Sequence, residues 1–180
     1  MTWKTLSITN NLPSLSSKYS AGIFPNGIIV YFGGQDGKDL DVTGDGIDSR
    51  SNFTSVLTPD RYIIIFGGRS INSTSVSPNL AILDTNKSPY EWSIPSSSKD
   101  NSPPSIYGHT ANLYYNYMII TFGYDIDNQT YSSKVYLYDI TNNTWVTRFE
   151  PSPFHYFYSK VFKAFTDWAW NRNRINNNKF

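Results

Sequence analysis

Three short runs of β-branched and aromatic residues, each leading into glycine, constrain the fold of this chain more than any other feature. They span residues 28–34, 62–68 and 118–124. Each run is bounded by turn-forming residues, which is typical of a buried β-strand. Because the same pattern recurs at intervals of tens of residues, the sequence predicts a repeat architecture.

The similarity between the runs extends to both sides. Upstream, three first-strand segments and three turn segments align without gaps: 19–21, 53–55 and 109–111 for the strands, and 25–27, 59–61 and 115–117 for the turns. This alignment pairs Phe66 with Phe122 and places Tyr124 where a second glycine belongs. Downstream, 80–84 matches 135–139, and a tryptophan strand follows each, with two extra turn residues near Ser88 in the first. Four antiparallel strands per period of about 50 residues predict a propeller blade.

The glycine-ended runs, the aromatic residue at Tyr138 and the paired tryptophan strands resemble the kelch repeat. The resemblance covers roughly residues 1–148 and implies a β-propeller of galactose-oxidase-like fold that binds partners through its inter-strand loops. The glycines permit positive φ and close backbone approach at strand exits, and the tryptophans fill the gap between neighbouring blades. These structural residues are Gly33, Gly34, Gly67, Gly68, Gly123, Trp3, Trp92 and Trp145.

The predicted fold is all-β, with kelch-type blades in an incomplete ring of about two to three blades. Its predicted parts are the last strand of a preceding blade (1–12), a truncated blade (13–51), two full blades (52–98 and 105–148) and a C-terminal tail (149–180). The first unit lacks its third and fourth strands, because the first two glycine-ended runs follow each other too closely. Open blade edges favour self-association.

The tail from residue 149 to 180 is aromatic and rich in Asn, and it has no counterpart in the repeats. Tyr158, Val161, Phe162 and Phe165 fall on one helical face, which predicts a short helix. Such a helix covers the last open blade face or binds a partner or membrane surface. Noncoding sequence read as protein is a further alternative.

Composition excludes several classes of function. The formal net charge is +1 and the chain has no Cys, which argues against nucleic acid, thiolate metal sites and Cys nucleophiles. His109 and His155 are the only histidines, and His109 aligns with packed first-strand residues. We therefore expect neither catalytic residues nor a cofactor. Without a signal peptide or a membrane-spanning run, the sequence as written predicts a cytoplasmic protein, or a secreted or membrane-attached one if it is a fragment.

One loop, residues 35–49, is crowded with Asp and Gly. The spacing of Asp41, Thr43 and Asp45 resembles that of a calcium loop, since calcium requires closely spaced oxygen ligands. However, Asn52 stands where the bidentate Glu of such a loop belongs. The alternative is a solvated loop that replaces the missing strands.

The sequence therefore predicts a non-enzymatic protein-interaction module that displays loops on rigid blades. The display loops are expected at 35–49, 69–78 and 125–133, and the partner protein cannot be named from the sequence. Two alternatives remain open. One is a carbohydrate- or substrate-binding propeller fragment of a larger secreted or membrane protein, and the other is a truncated product without independent function.

Overall fold

A computed structural model describes residues 19–24, 27, 29–33, 42–96 and 99–150 of the chain. Trp3, Gly34, the predicted strand at 1–12 and the predicted tail helix lie outside these ranges. The chain divides into two compact units, residues 1–147 and residues 148–180. The described residues contain fourteen strands and no helix, so the all-β prediction is confirmed.

All described strands lie in the first compact unit and are short. In chain order they are β1 (Tyr19–Ile23), β2 (Ile29–Gly33), β3 (Val42–Gly44), β4 (Thr54–Leu57), β5 (Tyr62–Phe66), β6 (Leu80–Asp84), β7 (Tyr90–Ser93), β8 (Ile106–Tyr107), β9 (Thr110–Tyr114), β10 (Tyr117–Thr121), β11 (Tyr124–Asp125), β12 (Thr130–Tyr131), β13 (Val135–Asp139) and β14 (Thr144–Val146). The predicted truncated blade, called here the first unit, is the antiparallel hairpin β1-β2.

The second blade is an antiparallel meander, β4-β5-β6-β7, with β3 added to the outer edge of β7. Its second strand, β5, reads Tyr-Ile-Ile-Ile-Phe, and the last four of these side chains are buried. An apolar run of this kind forms a strand that is covered on both faces. β3 pairs with β7 in parallel. The prediction of one continuous loop at 35–49 is therefore wrong for Val42–Gly44.

The third blade repeats the meander as β9-β10-β13-β14. Trp145 on β14 pairs with Tyr138, just as Trp92 on β7 pairs with Leu83. The turn that precedes Trp145 is two residues shorter than the turn that precedes Trp92, as the sequence predicts. β7 and β14 are thus equivalent outer strands.

The first hairpin of the third blade is one residue shorter than the ungapped alignment predicts. Tyr114 pairs directly with Tyr117 across a two-residue turn. In the second blade, the N–H of Thr58 bonds the carbonyl oxygen of Tyr62 across a three-residue turn. Residues 117–123 are consequently shifted by one position against the alignment, whereas 135–139 match 80–84 as predicted.

The predicted pairing of Phe66 with Phe122 is therefore wrong. Phe122 takes the position of Gly67, with φ of 65° against 62°, and Gly123 takes the position of Gly68, with φ of 98° against 99°. The irregular residue of the third blade is thus Phe122, which replaces the first glycine of the pair. Its side chain is 60% exposed, because a left-handed backbone directs it away from the core.

An apolar core lies between the second and third blades. The second blade contributes Phe66 and Ile64, and the third contributes Met118, Ile120 and Trp145. A separate core fills the space between the first unit and the second blade, where buried Phe24 of the first unit belongs to the same cluster as second-blade residues. Burial of aromatic and branched side chains from adjacent sheets supplies the main attraction between the blades.

The outer face of the third blade, which points away from the second, is more polar than its counterpart. Asn112 and Thr121 stand at the positions that Val56 and Phe66 occupy in the second blade. The hydroxyl groups of Thr121 and Thr110 lie 2.7 Å apart and form a hydrogen bond. In the second blade, Val56 and Phe66 are buried under the third.

Candidate functional site

The strands that end in glycine lead into loops at one end of the blades, and these loops contact one another. Gly67 and Gly68 both have positive φ. A Cβ atom at Gly67 would collide with the carbonyl oxygen of Ile106, and one at Gly68 would lie 2.9 Å from the Cβ of Phe53. Only glycine therefore combines this backbone conformation with so close an approach of neighbouring chains.

Hydrogen bonds tie the loops of this end to one another. Asp48 and Ser77 are joined twice, through Asp48 N–H to Ser77 O at 3.0 Å and through Ser77 N–H to the Asp48 carboxylate at 2.8 Å. The N–H of Gly68 bonds Ile106 O at 2.9 Å, which links the second blade to the third. The N–H of Ile126 bonds Ser105 O at 2.9 Å. The loops thus form a connected layer.

A buried arginine that the sequence analysis missed supports this layer. Arg50 is 7% exposed, and its guanidinium donates to the carbonyl oxygens of Asp48 at 3.1 Å, Gly67 at 3.2 Å and Ser77 at 3.4 Å. Burial lowers the pKa of Arg50 to about 10, and the nearby Asp48 carboxylate opposes the shift. Arg50 has no repeat partner in type, so no pattern in the sequence marks it.

His109 is buried at the joint between the second and third blades, where the sequence predicts a packed first-strand residue. Its Nε2 atom lies 2.7 Å from the hydroxyl oxygen of Thr54, and its ring packs edge-on against Phe66. Burial lowers the pKa of His109 to about 4, while the backbone of Phe66 opposes the shift. The imidazole is therefore neutral at physiological pH and serves packing.

Three tyrosines form a row on the short sheet β8-β11-β12. Tyr107, Tyr124 and Tyr131, called here the tyrosine row, follow one another with ring centroids 5.4 Å and 5.2 Å apart. The guanidinium of Arg69 lies over the Tyr107 ring at 4.7 Å. Tyr107, at one end of the row, lies under the Arg69 guanidinium, and Tyr131, at the other end, is 83% exposed.

The predicted loop at 69–78 presents an apolar residue to solvent. Ile71 is 87% exposed at its tip. The tip is shaped by a bond between the hydroxyl groups of Ser70 and Thr74 at 2.7 Å, and by Arg69, which donates to the Ser73 hydroxyl at 3.0 Å. Val76 is buried and anchors the loop. The loop therefore holds Ile71 outward on a fixed support.

The predicted loop at 125–133 contains β12 and a tight turn around Asp125. The Asp125 carboxylate accepts N–H bonds from Asp127 and Asn128 at 3.0 Å and from the Asn128 side chain at 2.8 Å. Burial pushes the pKa of Asp125 upward, but these bonds from Asn128 and Asp127 outweigh it and hold the pKa below its usual value. Asp125 is thus a turn-forming carboxylate.

Two of the three calcium candidates already have protein partners. The Thr43 hydroxyl donates to Tyr90 O at 3.4 Å, and the Asp45 carboxylate accepts the N–H of Ile94 at 2.8 Å. Asp41 lies outside the described residues, so the calcium site stays a prediction. Among the described residues, no group of three or more acidic, His or Cys side chains could hold a metal ion.

The other predicted structural residues fall as follows. Gly33 ends β2, and Trp92 is half-buried against the core next to the first unit. Trp145 is buried between the second and third blades. The part of the chain that the structure describes contains no helix long and apolar enough to cross a membrane.

Comparison with known proteins gives one family. A family model described as the KLHDC2/KLHL20/DRC7 Kelch-repeats domain matches residues 38–156, more than half of the chain. The matched range contains every described strand from β3 to β14. No curated protein matches the sequence.

Proposed function

Because the chain belongs to the Kelch-repeat family, we propose that it is a non-enzymatic protein-binding module whose contact surface is the tyrosine row together with Ile71. Kelch-repeat domains generally act as protein-interaction modules. The observation that carries the proposal is the exposed end of the tyrosine row at Tyr131, which is 83% exposed. Ile71, 87% exposed, lies two residues after Arg69, which covers the other end of the row.

The composition of this surface is that of an interaction site. Tyr and Arg are enriched among the residues that dominate binding energy at protein interfaces. Tyr131 and Arg69 stand at opposite ends of one continuous row of ring contacts. Tyr loses few rotamers on binding and offers both an apolar face and a hydroxyl group. A partner that covers Tyr131 and Ile71 gains apolar burial at a small entropic cost.

The rigidity of the support favours the same function. The hydrogen bonds of Arg50, and those between Asp48 and Ser77, fix the loops of this layer to one another. Loops held in one conformation before binding need little ordering when a partner arrives. The buried Arg50, His109 and Asp125 are all engaged in such support.

The test compares partner binding by the full chain and by single variants. Tyr131→Ala is expected to weaken binding of a purified partner by tenfold or more, since truncation of a central interface Tyr costs about 2 kcal/mol. The matched control is Tyr114→Ala, because Tyr114 is 51% exposed at the opposite end of the third blade. Ile71→Ser is paired in the same way with Ile23→Ser in β1, where Ile23 is 63% exposed.

Equal binding by Tyr131→Ala and Tyr114→Ala would contradict this surface. A glycan-array signal that Tyr131→Ala abolishes, without any stoichiometric protein partner, would favour carbohydrate binding. A purified chain that shows no cooperative unfolding transition would favour a product without independent function.

A further inference from the structure

The outer strands of the second and third blades differ in whether another strand pairs with their outer edge. β7 is covered by β3, which pairs with it in parallel so that Gly44 lies opposite Trp92. β14 is the equivalent strand of the third blade, because Trp145 has the position of Trp92. Among the described residues, no strand pairs with the outer edge of β14.

The connecting segments of the two blades are attached at different residues. Asp48 and Pro104 occupy the same position, six residues before the first strand of their blades. The N–H of Asp48 bonds Ser77 O, and proline has no N–H with which to repeat this contact. The third-blade connector is instead tied to the 125–133 loop one residue later, because Ser105 O accepts the N–H of Ile126 and the N–H of Ser105 donates to the Asp127 carboxylate at 3.2 Å.

A groove of about 830 Å³ opens between this connector and the end of β14. Pro103 and Pro104 line it together with Val146 and Thr147, and most of the remaining lining belongs to the segment 125–136. Lys134 is the single basic residue in the lining. Asp125 is the single acidic residue there, so the groove is close to neutral and mixes polar with apolar side chains, and it reaches the end of β14 at Val146 and Thr147.

The backbone groups that face this groove can be read from the second blade. Trp92 O accepts the N–H of Asp45, and the N–H of Ile94 donates to the Asp45 carboxylate. Hydrogen-bonding directions alternate along an antiparallel strand, so residues at alternate positions share an edge. By equivalence, Trp145 O and the N–H of Thr147 point outward from β14.

We propose that β14 binds an extended peptide in parallel, in the register in which β3 pairs with β7. An extended peptide adds to an exposed strand edge through backbone hydrogen bonds, and its side chains supply specificity. The pattern that fits is a β-branched residue, any residue, glycine and then Asp, as in Val42–Asp45. Glycine is required opposite the tryptophan, because a Cβ atom at Gly44 would collide with Trp92 O.

The Asp of the peptide would accept the N–H of Thr147, as Asp45 accepts the N–H of Ile94. This proposal goes beyond the loop surface at Ile71 and does not rest on it. Tyr131 lines the groove as well as ending the tyrosine row, so the variants that test the strand edge are chosen apart from Tyr131.

The experiment uses the full chain, labelled with ¹⁵N, and an acetylated peptide that copies residues 40–47, Leu-Asp-Val-Thr-Gly-Asp-Gly-Ile. Saturable shifts and slower hydrogen exchange are expected at the amides of Trp145 and Thr147. A peptide with Val in place of the first glycine is expected to bind at least tenfold more weakly, as is one with Asn in place of the Asp after it at low salt.

Two variants isolate the strand edge. Thr147→Pro removes the outward N–H and is expected to weaken peptide binding about tenfold, while Thr147→Val keeps that N–H and the wild-type affinity. Thr147 lies outside the β13–β14 ladder, and an unchanged melting temperature verifies the fold of both variants. Equal affinity of the two variants, shifts confined to Tyr90 and Trp92 through displacement of β3, or no saturable binding would each overturn the proposal.

Discussion

The indole ring of Trp145 packs edge-on against the phenyl ring of Phe66, with centroids 5.2 Å apart and planes inclined by 70°. The two residues belong to different blades, and both are buried. The contact joins the outermost strand of the third blade to the second strand of the second blade. The contribution of this contact to the free energy of unfolding can be measured directly.

Trp145→Ala is expected to lower the free energy of unfolding by about 3–5 kcal/mol, because it leaves a large cavity between two sheets. Trp92→Ala is the matched control and is expected to cost less, since Trp92 is only half-buried. Urea denaturation followed by circular dichroism measures both. A larger loss for Trp92→Ala would contradict the packing described here.

Gly68→Ala is expected to lower stability by about 1–3 kcal/mol, because Gly68 has φ of 99° and a Cβ atom would press on Phe53 and on Ser51 O. Gly46→Ala is the control, as a Cβ atom there meets nothing within 4 Å. The thermal midpoints of the two variants decide the point. If both changes have the same effect, the close approach at Gly68 is not required.

Acid is expected to destabilise the joint between the blades through His109. Its pKa is about 4 in the folded chain and about 6.5 when unfolded. The unfolded chain thus binds the extra proton first, and stability falls as the pH drops from 6.5 toward 4. From pH 7 to pH 5 this contribution falls by about 2 kcal/mol.

The measurement is the difference in unfolding free energy between pH 7 and pH 5. His109→Phe, which copies Phe53 in the aligned position, is expected to reduce that difference. His155→Gln, which removes the only other histidine, is the control and should leave it close to the wild-type value. If His155→Gln reduces that difference and His109→Phe does not, His155 is responsible for the loss of stability in acid.

Calcium is expected to leave the melting temperature unchanged, because Thr43 and Asp45 already bond backbone groups of β7 and its extension. A calcium titration by calorimetry, with magnesium as the control ion, checks this. Stabilisation by several degrees that Asp45→Asn removes would instead establish the calcium site.

The repeat was predictable because buried strands require apolar runs, and the tight turns after them require glycine. Both features recur in the sequence at similar spacing. The one-residue slip in the third blade was not predictable from those features. Phe122 resembles Phe66 in type, and only the pairing of Tyr114 with Tyr117 reveals the shorter turn. A hairpin can lose one residue without changing the residues on either side.

The candidate site was less predictable than the fold. β3 has three residues in an Asp- and Gly-rich segment, so its sequence carries no strand signal, and its partner β7 lies far along the chain. Arg50 reads as a surface cation until its three carbonyl partners are known. The tyrosine row is assembled from three separate segments, and no local pattern brings Tyr107, Tyr124 and Tyr131 together.

The polar outer face of the third blade bears on attempts to lengthen this array by duplication. A copied segment 52–98 would present Val56 and Phe66 to its neighbour and bury them. A copied segment 105–148 would present Asn112 and the paired hydroxyl groups of Thr110 and Thr121, whose hydration would be lost on stacking. A synthetic ring built from the former unit should close more readily than one built from the latter.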